Sequence, residues 1–176
     1  MDILQVDNLK KYYGTEPNIT RALNGVSIKV RQNEFVSIVG TSGSGKSTLL
    51  HIIGGLDTPS SGKIIVRGKK LEEMSDEELT IFRRRNIGFV FQNYNLVPTL
   101  NVYENIVLPV HLDGDTVDEK FLAKIVSVLG VEVLMERMTN SLSGGQQQRV
   151  AIARALITKP ALLLADVNWT RVFGCI

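Results

Sequence analysis

Apolar and polar positions alternate with a period of two over Ile3 to Asp7 and again over Val26-Ser-Ile-Lys-Val30, which predicts two strands of the antiparallel kind. The pattern then changes to short, nearly continuous apolar runs at Phe35-Val-Ser-Ile-Val39, Ile87-Gly-Phe-Val-Phe91 and Ala161-Leu-Leu-Leu-Ala165. Such runs suit parallel strands buried on both faces. A further strand is expected from Gly62 to Val66, closed by a turn at Arg67-Gly68-Lys69. Helical spacing lies between the strands. Lys46 to Ile53 is stopped by Gly54-Gly55, and Ser75 can cap a helix from Asp76 to about Asn86, with Glu78 placed to reach back. Asn101 can cap a helix through Val102, Tyr103, Ile106 and Val107, and Val117 to Leu129 keeps helical apolar spacing until Gly130. Leu9 to Thr20 reads as a polar connection carrying Tyr12 and Tyr13, and Asn93 to Pro98 as an irregular loop. Antiparallel strands followed by alternating helices and buried strands predict an α/β fold with a parallel core sheet.

Composition narrows the class without deciding it. The chain has 176 residues, 22% charged and 44% apolar, with a formal charge of +2, as expected of an ordinary globular domain with no call for a nucleic-acid partner. Arg83-Arg84-Arg85 follows Asp76-Glu77-Glu78 on one predicted helix and reads as a solvated face. No apolar run approaches the roughly 20 residues of a membrane span, and Met1-Asp2-Ile3 opens directly into a strand pattern, so a cytoplasmic protein is expected. The single cysteine, Cys175, fits a reducing compartment.

The chemistry concentrates where the first apolar run ends. Gly40-Thr41-Ser42-Gly43-Ser44-Gly45-Lys46-Ser47, followed by Thr48, fills the template of a glycine-rich phosphate cradle between a strand and a helix. Glycines let backbone N–H groups converge on one point, and the following helix adds its unpaired N-terminal donors. Lys46 supplies a point charge for the β- and γ-phosphates of a nucleoside triphosphate, and Ser47 a hydroxyl for Mg²⁺. Ser143-Gly144-Gly145-Gln146 opens a helix that runs to Ile157, either as a second anion site or as a plain N-cap. Asp166 ends an apolar strand where a cradle protein holds Mg²⁺, and Gln92 lies at the carboxyl end of another, where α/β sheets place ligand contacts. A ring ahead of the cradle, Tyr12 or Tyr13, can stack on a purine or simply pack. His51 lacks a metal-ligand or triad partner at suitable spacing.

The cradle at Gly40 to Ser47, Leu-Ser-Gly-Gly-Gln at 142 to 146 and Leu-Leu-Leu-Ala-Asp at 162 to 166, in that order, resemble the ATP-binding subunit of ABC transporters over Ile3 to Asp166. The resemblance implies a P-loop ATPase whose parallel core carries an antiparallel β subdomain and a helical subdomain at about 93–158. It implies ATP and Mg²⁺ as ligands and a head-to-tail pair of subunits, each ATP lying between one cradle and the partner's signature. Ser143, Gly144 and Gly145, with Gln146, would grip the γ-phosphate held by the other copy. Tyr13 looks like the adenine-stacking ring, with Tyr12 the fallback. Gln92 looks like the residue that contacts Mg²⁺ and the attacking water while sensing the membrane partner; Lys46, Gln92 and Asp166 would be the catalytic set, and Ser47, Gln92 and Asp166 the metal set. Phe89 to Pro98 and Val102 to Pro109 are similar to the branch serving macrolide export, lipoprotein release and antimicrobial-peptide resistance. That branch works with an integral membrane permease, expected to be contacted around Asn93 to Pro109, which would place the protein on the cytoplasmic face of the plasma membrane. DNA-repair and translation ATPases are the other class. The repair type carries a long coiled-coil insertion between the glutamine loop and the signature, and only Gln92 to Leu142 is available here.

The likeness stops at Asp166. Where the family continues Glu-Pro-Thr, this chain reads Val167-Asn168-Trp169 and runs on to Ile176, so 1–166 is expected to be an incomplete ATP-binding domain and 167–176 a tail foreign to the family. Val167, in the general base's position, cannot accept a proton, and neither His51 nor His111 follows the signature as the switch histidine does. The strand that carries that histidine lies between the cradle strand and the Asp166 strand in the family, so a gap in mid-sheet, marginal stability and loosely docked Trp169 and Phe173 are expected. A non-hydrolysing nucleotide-binding module that lends its signature to a normal subunit is the alternative function.

Overall fold

The computed structural model describes residues 1–167. The chain divides into two compact units, one from Met1 to Arg83 and one from Arg84 onward. The expectations for Trp169, Phe173 and the rest of the 168–176 tail lie outside the described residues.

The first unit is built on a four-stranded antiparallel sheet in the order β2-β1-β3-β4, from Asp2–Tyr13 (β1), Thr20–Arg31 (β2), Ser61–Val66 (β3) and Lys69–Lys70 (β4). Leu4, Val6, Leu9, Ile64 and Val66 are buried, at alternate positions over much of β1 and β3. β1 runs through the stretch expected as a polar connection, because its far end still pairs with β2, with Lys11 opposite Leu23 and Tyr13 opposite Thr20. Ladder pairing on a neighbouring strand overrides a polar local composition. Helix α1, Lys46–Ile53, buries Leu49, Ile52 and Ile53. It ends in a Schellman turn: the N–H of Leu56 reaches the carbonyl of His51 at 2.8 Å and that of Gly55 reaches Ile52 at 3.0 Å, with Gly55 in the left-handed region at φ 64.

The strand predicted over Phe35 to Val39 is not formed. This run pairs with no strand among the described residues, and Phe35 and Val39 are 81% and 85% exposed. A doubly buried parallel strand owes its conformation to neighbours on both sides, which an apolar run cannot supply by itself.

Helix α2, Asp76–Asn86, starts at the expected capping box: Glu78 accepts from the N–H of Ser75 at 2.8 Å, and the Ser75 hydroxyl accepts from the N–H of Glu78 at 3.3 Å. The arginines near its end are only in part the solvated face expected of them, Arg85 being exposed and Arg83 and Arg84 half-buried. Arg83 donates to the Gly55 carbonyl at 2.5 Å, while Arg84 donates to the Leu112 carbonyl and, with Arg85, clasps Asp113. The bond from Arg85, with help from Arg84, holds the Asp113 carboxyl below its ordinary range against the opposing effect of burial.

In the second unit, β5 (Ile87–Val90) and β6 (Leu162–Ala165) pair in parallel, Ile87 opposite Leu162 and Val90 opposite Ala165. Helices α3 (Val102–Leu112), α4 (Glu119–Leu129) and α5 (Gly144–Leu156) close a core of Val102, Ile106, Leu122, Ile125, Val150 and Ala153. α3 begins with the Asn101 cap, completed as a box by Glu104, and continues through Pro109; α4 is stopped by Gly130 at φ 60.

Candidate functional site

The cradle is shaped by two glycines. Gly43 (φ 79) and Gly45 (φ 86) take the left-handed conformation on either side of Ser44, and this alternation turns successive N–H groups toward one side of the loop. Gly45 is fixed by space as well, since a Cβ there would lie 2.3 Å from the carbonyl oxygen of Ala22 on β2. The Lys46 ammonium turns back over the loop and donates to the carbonyls of Gly40 at 2.9 Å and Thr41 at 2.7 Å and to the Ser44 hydroxyl at 3.2 Å. Lys46, Ser47 and Thr48 form the first turn of α1, where the helix dipole favours anions. Thr41 and Ser42 are exposed on the loop.

The two tyrosines are separated by the strand. Tyr12 donates to the Asn24 side chain at 2.7 Å, with Arg21 over its ring, whereas Tyr13 donates to Asp57 at 2.8 Å. Tyr13 is thus the ring tied to the turn that follows the cradle helix, and it is 43% exposed. Sequence reasoning missed Asp57 and Lys11. The Lys11 ammonium bonds the other oxygen of Asp57 at 2.7 Å and lies 4.8 Å from the Tyr13 ring centre.

In the second unit, the paired strands bring Gln92 and Asp166 to the same carboxyl edge: Asp166 follows Ala165 directly, its N–H bonds the Val90 carbonyl at 2.9 Å, and Gln92 is exposed two residues past Val90. Val167 packs against Val90, Ala151 and Ala155. The signature opens α5 with a capping box: Gln146 Oε1 accepts from the N–H of Ser143 at 2.8 Å, and Ser143 Oγ accepts from the N–H of Gln146 at 3.4 Å. Gly144 leaves room for the Tyr94 hydroxyl, 3.4 Å from where a Cβ would stand, while Gly145 faces open space.

A second residue that the sequence did not single out is Arg154. Its guanidinium forks onto the Asn95 carbonyl at 2.6 Å and the Tyr94 carbonyl at 2.7 Å, holding a turn in which both residues have positive φ. Burial lowers its pKa from the usual value. The loop after Gln92 is therefore tied to the signature helix through the Tyr94 and Asn95 carbonyls. A lysine ammonium lacks the rigid planar fork that holds both carbonyls here, so Arg154→Lys is expected to lose about 1–3 kcal/mol and to speed amide exchange over 93–96 at least about tenfold. Exchange mass spectrometry checks it; unchanged protection there refutes the role.

Among the described residues no three His, Cys, Asp or Glu side chains gather into a metal cage. A magnesium ion that takes one or two protein oxygens and fills its shell with phosphate and water needs none, and the Ser47 hydroxyl in the first unit and the Asp166 carboxylate in the second are each an oxygen donor of that kind.

A family model described as ABC transporter matches residues 23–168. The chain is 42% identical over 169 residues to the bacitracin export ATP-binding protein BceA of Halalkalibacterium halodurans, covering 94% of this chain and 66% of that protein. It is 39% identical over 164 residues to the macrolide export ATP-binding/permease protein MacB of Bdellovibrio bacteriovorus, covering 93% of this chain and 25% of that one. The dimeric structure of the ATP-binding cassette MJ0796 bound to ADP and Pi, in a post-hydrolysis state, superposes with a TM-score of 0.85 at 43% identity, over 92% of this chain and 72% of that one. With the cradle, the signature and the Asp166 strand all inside or overlapping the matched span, the chain belongs to the ABC transporter family of ATP-binding cassettes.

Proposed function

We propose that this chain is the nucleotide-binding part of an ATP-driven transporter of the export type. The observation that carries this reading is the cradle: a left-handed pair of glycines with the Lys46 ammonium drawn over the loop at the start of α1. Lys46 would exchange its bonds to the Gly40 and Thr41 carbonyls for phosphate oxygens. Ser47 and Asp166, with Gln92, would hold Mg²⁺, and Tyr13 would receive the adenine. Bound ATP supplies the γ-phosphoryl group for transfer to water, with Mg²⁺ neutralising the charge that develops. Ser143, Gly144, Gly145 and Gln146 would close over the nucleotide of a second copy packed head to tail. The segment Asn93 to Pro109 would meet a membrane permease, placing the chain on the cytoplasmic face of the plasma membrane. The domain would span 1–166, with its helical part at about 93–158 and 167–176 outside it.

One residue favours a second reading. Val167 stands where the family places its general base, and positioned proton transfer is worth about 10²–10⁴ in rate, so turnover by this chain is expected to be slow. The chain then serves as a nucleotide-holding half that completes a partner's site with its own signature. Equilibrium titration with a fluorescent ATP analogue is expected to give saturable, Mg²⁺-dependent binding, weakened about ten- to a hundredfold by Lys46→Ala, as loss of a charged phosphate contact requires. Binding indifferent to Lys46 would refute the cradle reading. Adding the chain to a full-length homologue tests the second reading: stimulated ATPase activity supports the lending role, and none overturns it.

A further inference from the structure

Tyr13 is held by a network that reaches it from two sides. Its hydroxyl donates to Asp57 Oδ2 at 2.8 Å, and the Lys11 ammonium sits 4.8 Å from the ring centre. Lys11 is itself fixed by Asp57 Oδ1 at 2.7 Å and by the Thr58 carbonyl at 2.7 Å. Asp57 is the hub. Its carboxylate also accepts from the N–H of Thr58 at 2.7 Å, and it is carried there by the Schellman turn that ends α1. Burial pushes the Asp57 carboxyl up, but the bonds from Lys11, Tyr13 and the Thr58 N–H outweigh it and keep the group ionised. The bond to Asp57 raises the Tyr13 pKa, so the hydroxyl remains the donor.

These bonds have a shared consequence. Lys11 and Tyr13 are two residues apart on β1 and so share a face of the strand, while Asp57 lies just past the turn that ends α1. The carboxylate therefore ties the exposed ring on the sheet to the far end of the helix that the phosphate cradle opens. With Lys11 over the ring, a base is left the opposite face. Preorganised platforms raise affinity by avoiding the loss of side-chain freedom on binding.

We infer that Asp57 is the positioning residue for the base-stacking platform, holding the Tyr13 ring and the Lys11 ammonium together against the turn that ends the cradle helix. The inference rests on the reading of the cradle as an ATP site, and the test separates the two. Binding of Mg²⁺-ATP and of Mg²⁺-tripolyphosphate is measured calorimetrically on the full chain, since only the first ligand carries a base. Tyr13→Ala is expected to weaken ATP at least tenfold and leave tripolyphosphate within twofold. Asp57→Ala is expected to weaken ATP about fivefold, again sparing tripolyphosphate, and to add nothing further in the Tyr13→Ala background. Asp57→Asn and Tyr13→Phe, which keep the shape and lose part of the network, are expected to fall between, and they carry the test should Asp57→Ala fail to fold. If Tyr13→Ala leaves the ratio of the two affinities unchanged, the platform itself is wrong. If Tyr13→Ala lowers the ratio and none of the Asp57 variants does, or if they weaken both ligands equally, Asp57 is a structural residue only and the inference falls.

Discussion

Gly45→Ala is expected to abolish measurable nucleotide binding and to destabilise the first unit by at least about 2 kcal/mol, whereas Gly43→Ala, two residues earlier, is expected to cost about 1 kcal/mol. Both glycines have φ near 80°, so the left-handed strain that a side chain would bring is common to both. They differ in what surrounds them. Nothing lies within 4 Å of a Cβ at Gly43, while at Gly45 it would meet the Ala22 carbonyl at 2.3 Å and the Leu23 side chain at 3.1 Å. A backbone oxygen in a strand cannot step aside as the end of a flexible side chain can. Either β2 or the start of α1 has to move, and the first turn of that helix carries Lys46, Ser47 and Thr48. Urea unfolding of both variants, with titration of an ATP analogue, checks the contrast. Equal costs at the two positions would mean that strain alone, and not the close approach of β2, demands glycine at 45.

The parts of the chain that could be read from sequence are those decided within a few residues. The boxes at Ser75 with Glu78 and at Asn101, the Gly130 stop and the glycine cradle all depend on neighbours three or four positions away, and each is formed as its spacing implies. That Ile87–Val90 and Leu162–Ala165 form strands was also legible, because both are short apolar runs suited to burial, although their pairing with each other was not. Phe35 to Val39 has the same local pattern and forms no strand, since an apolar run specifies burial but not the neighbour that provides it. The residues that escaped notice are polar ones whose partners lie far along the chain. Asp57 meets Lys11 across 46 positions, and Arg154 meets Tyr94 across 60. Their side chains look like surface residues until the fold brings the partner within 3 Å. The arginines at 83–85 make the same point, for a basic run beside acidic residues on a helix gives no sign that Gly55 and Leu112 carbonyls lie in reach.

Asn105 is a buried polar residue whose partners lie only four to eight positions away, and Asn105→Leu is expected to destabilise the second unit by about 3–5 kcal/mol despite its similar volume. The side chain is fully buried at 0% exposure on α3. Its Oδ1 accepts from the N–H of Val97 at 2.7 Å, and its Nδ2 donates to the carbonyls of Val97 at 3.0 Å, Leu100 at 3.0 Å and Asn101 at 2.9 Å. One amide therefore serves four partly buried backbone groups of the segment leading into the helix, its two N–H groups shared among three carbonyls, and leucine would remove this partner from all of them. Asn105→Asp sharpens the test through its pH dependence. A carboxylate still accepts from Val97 but faces three carbonyl oxygens, so its ionised form is disfavoured in the folded chain and its pKa is raised above the unfolded value. Stability of that variant is then greatest below the unfolded pKa and is lost as pH rises through the folded one, the reverse of an ion-paired aspartate. Thermal melts between about pH 4 and pH 8, bracketing the ordinary carboxyl value of about 3.9 and its upward shift, are expected to show the gap between Asn105→Asp and the parent widening with pH while that of Asn105→Leu stays constant. A gap independent of pH would mean that the position is read by its volume rather than by the donors it supplies.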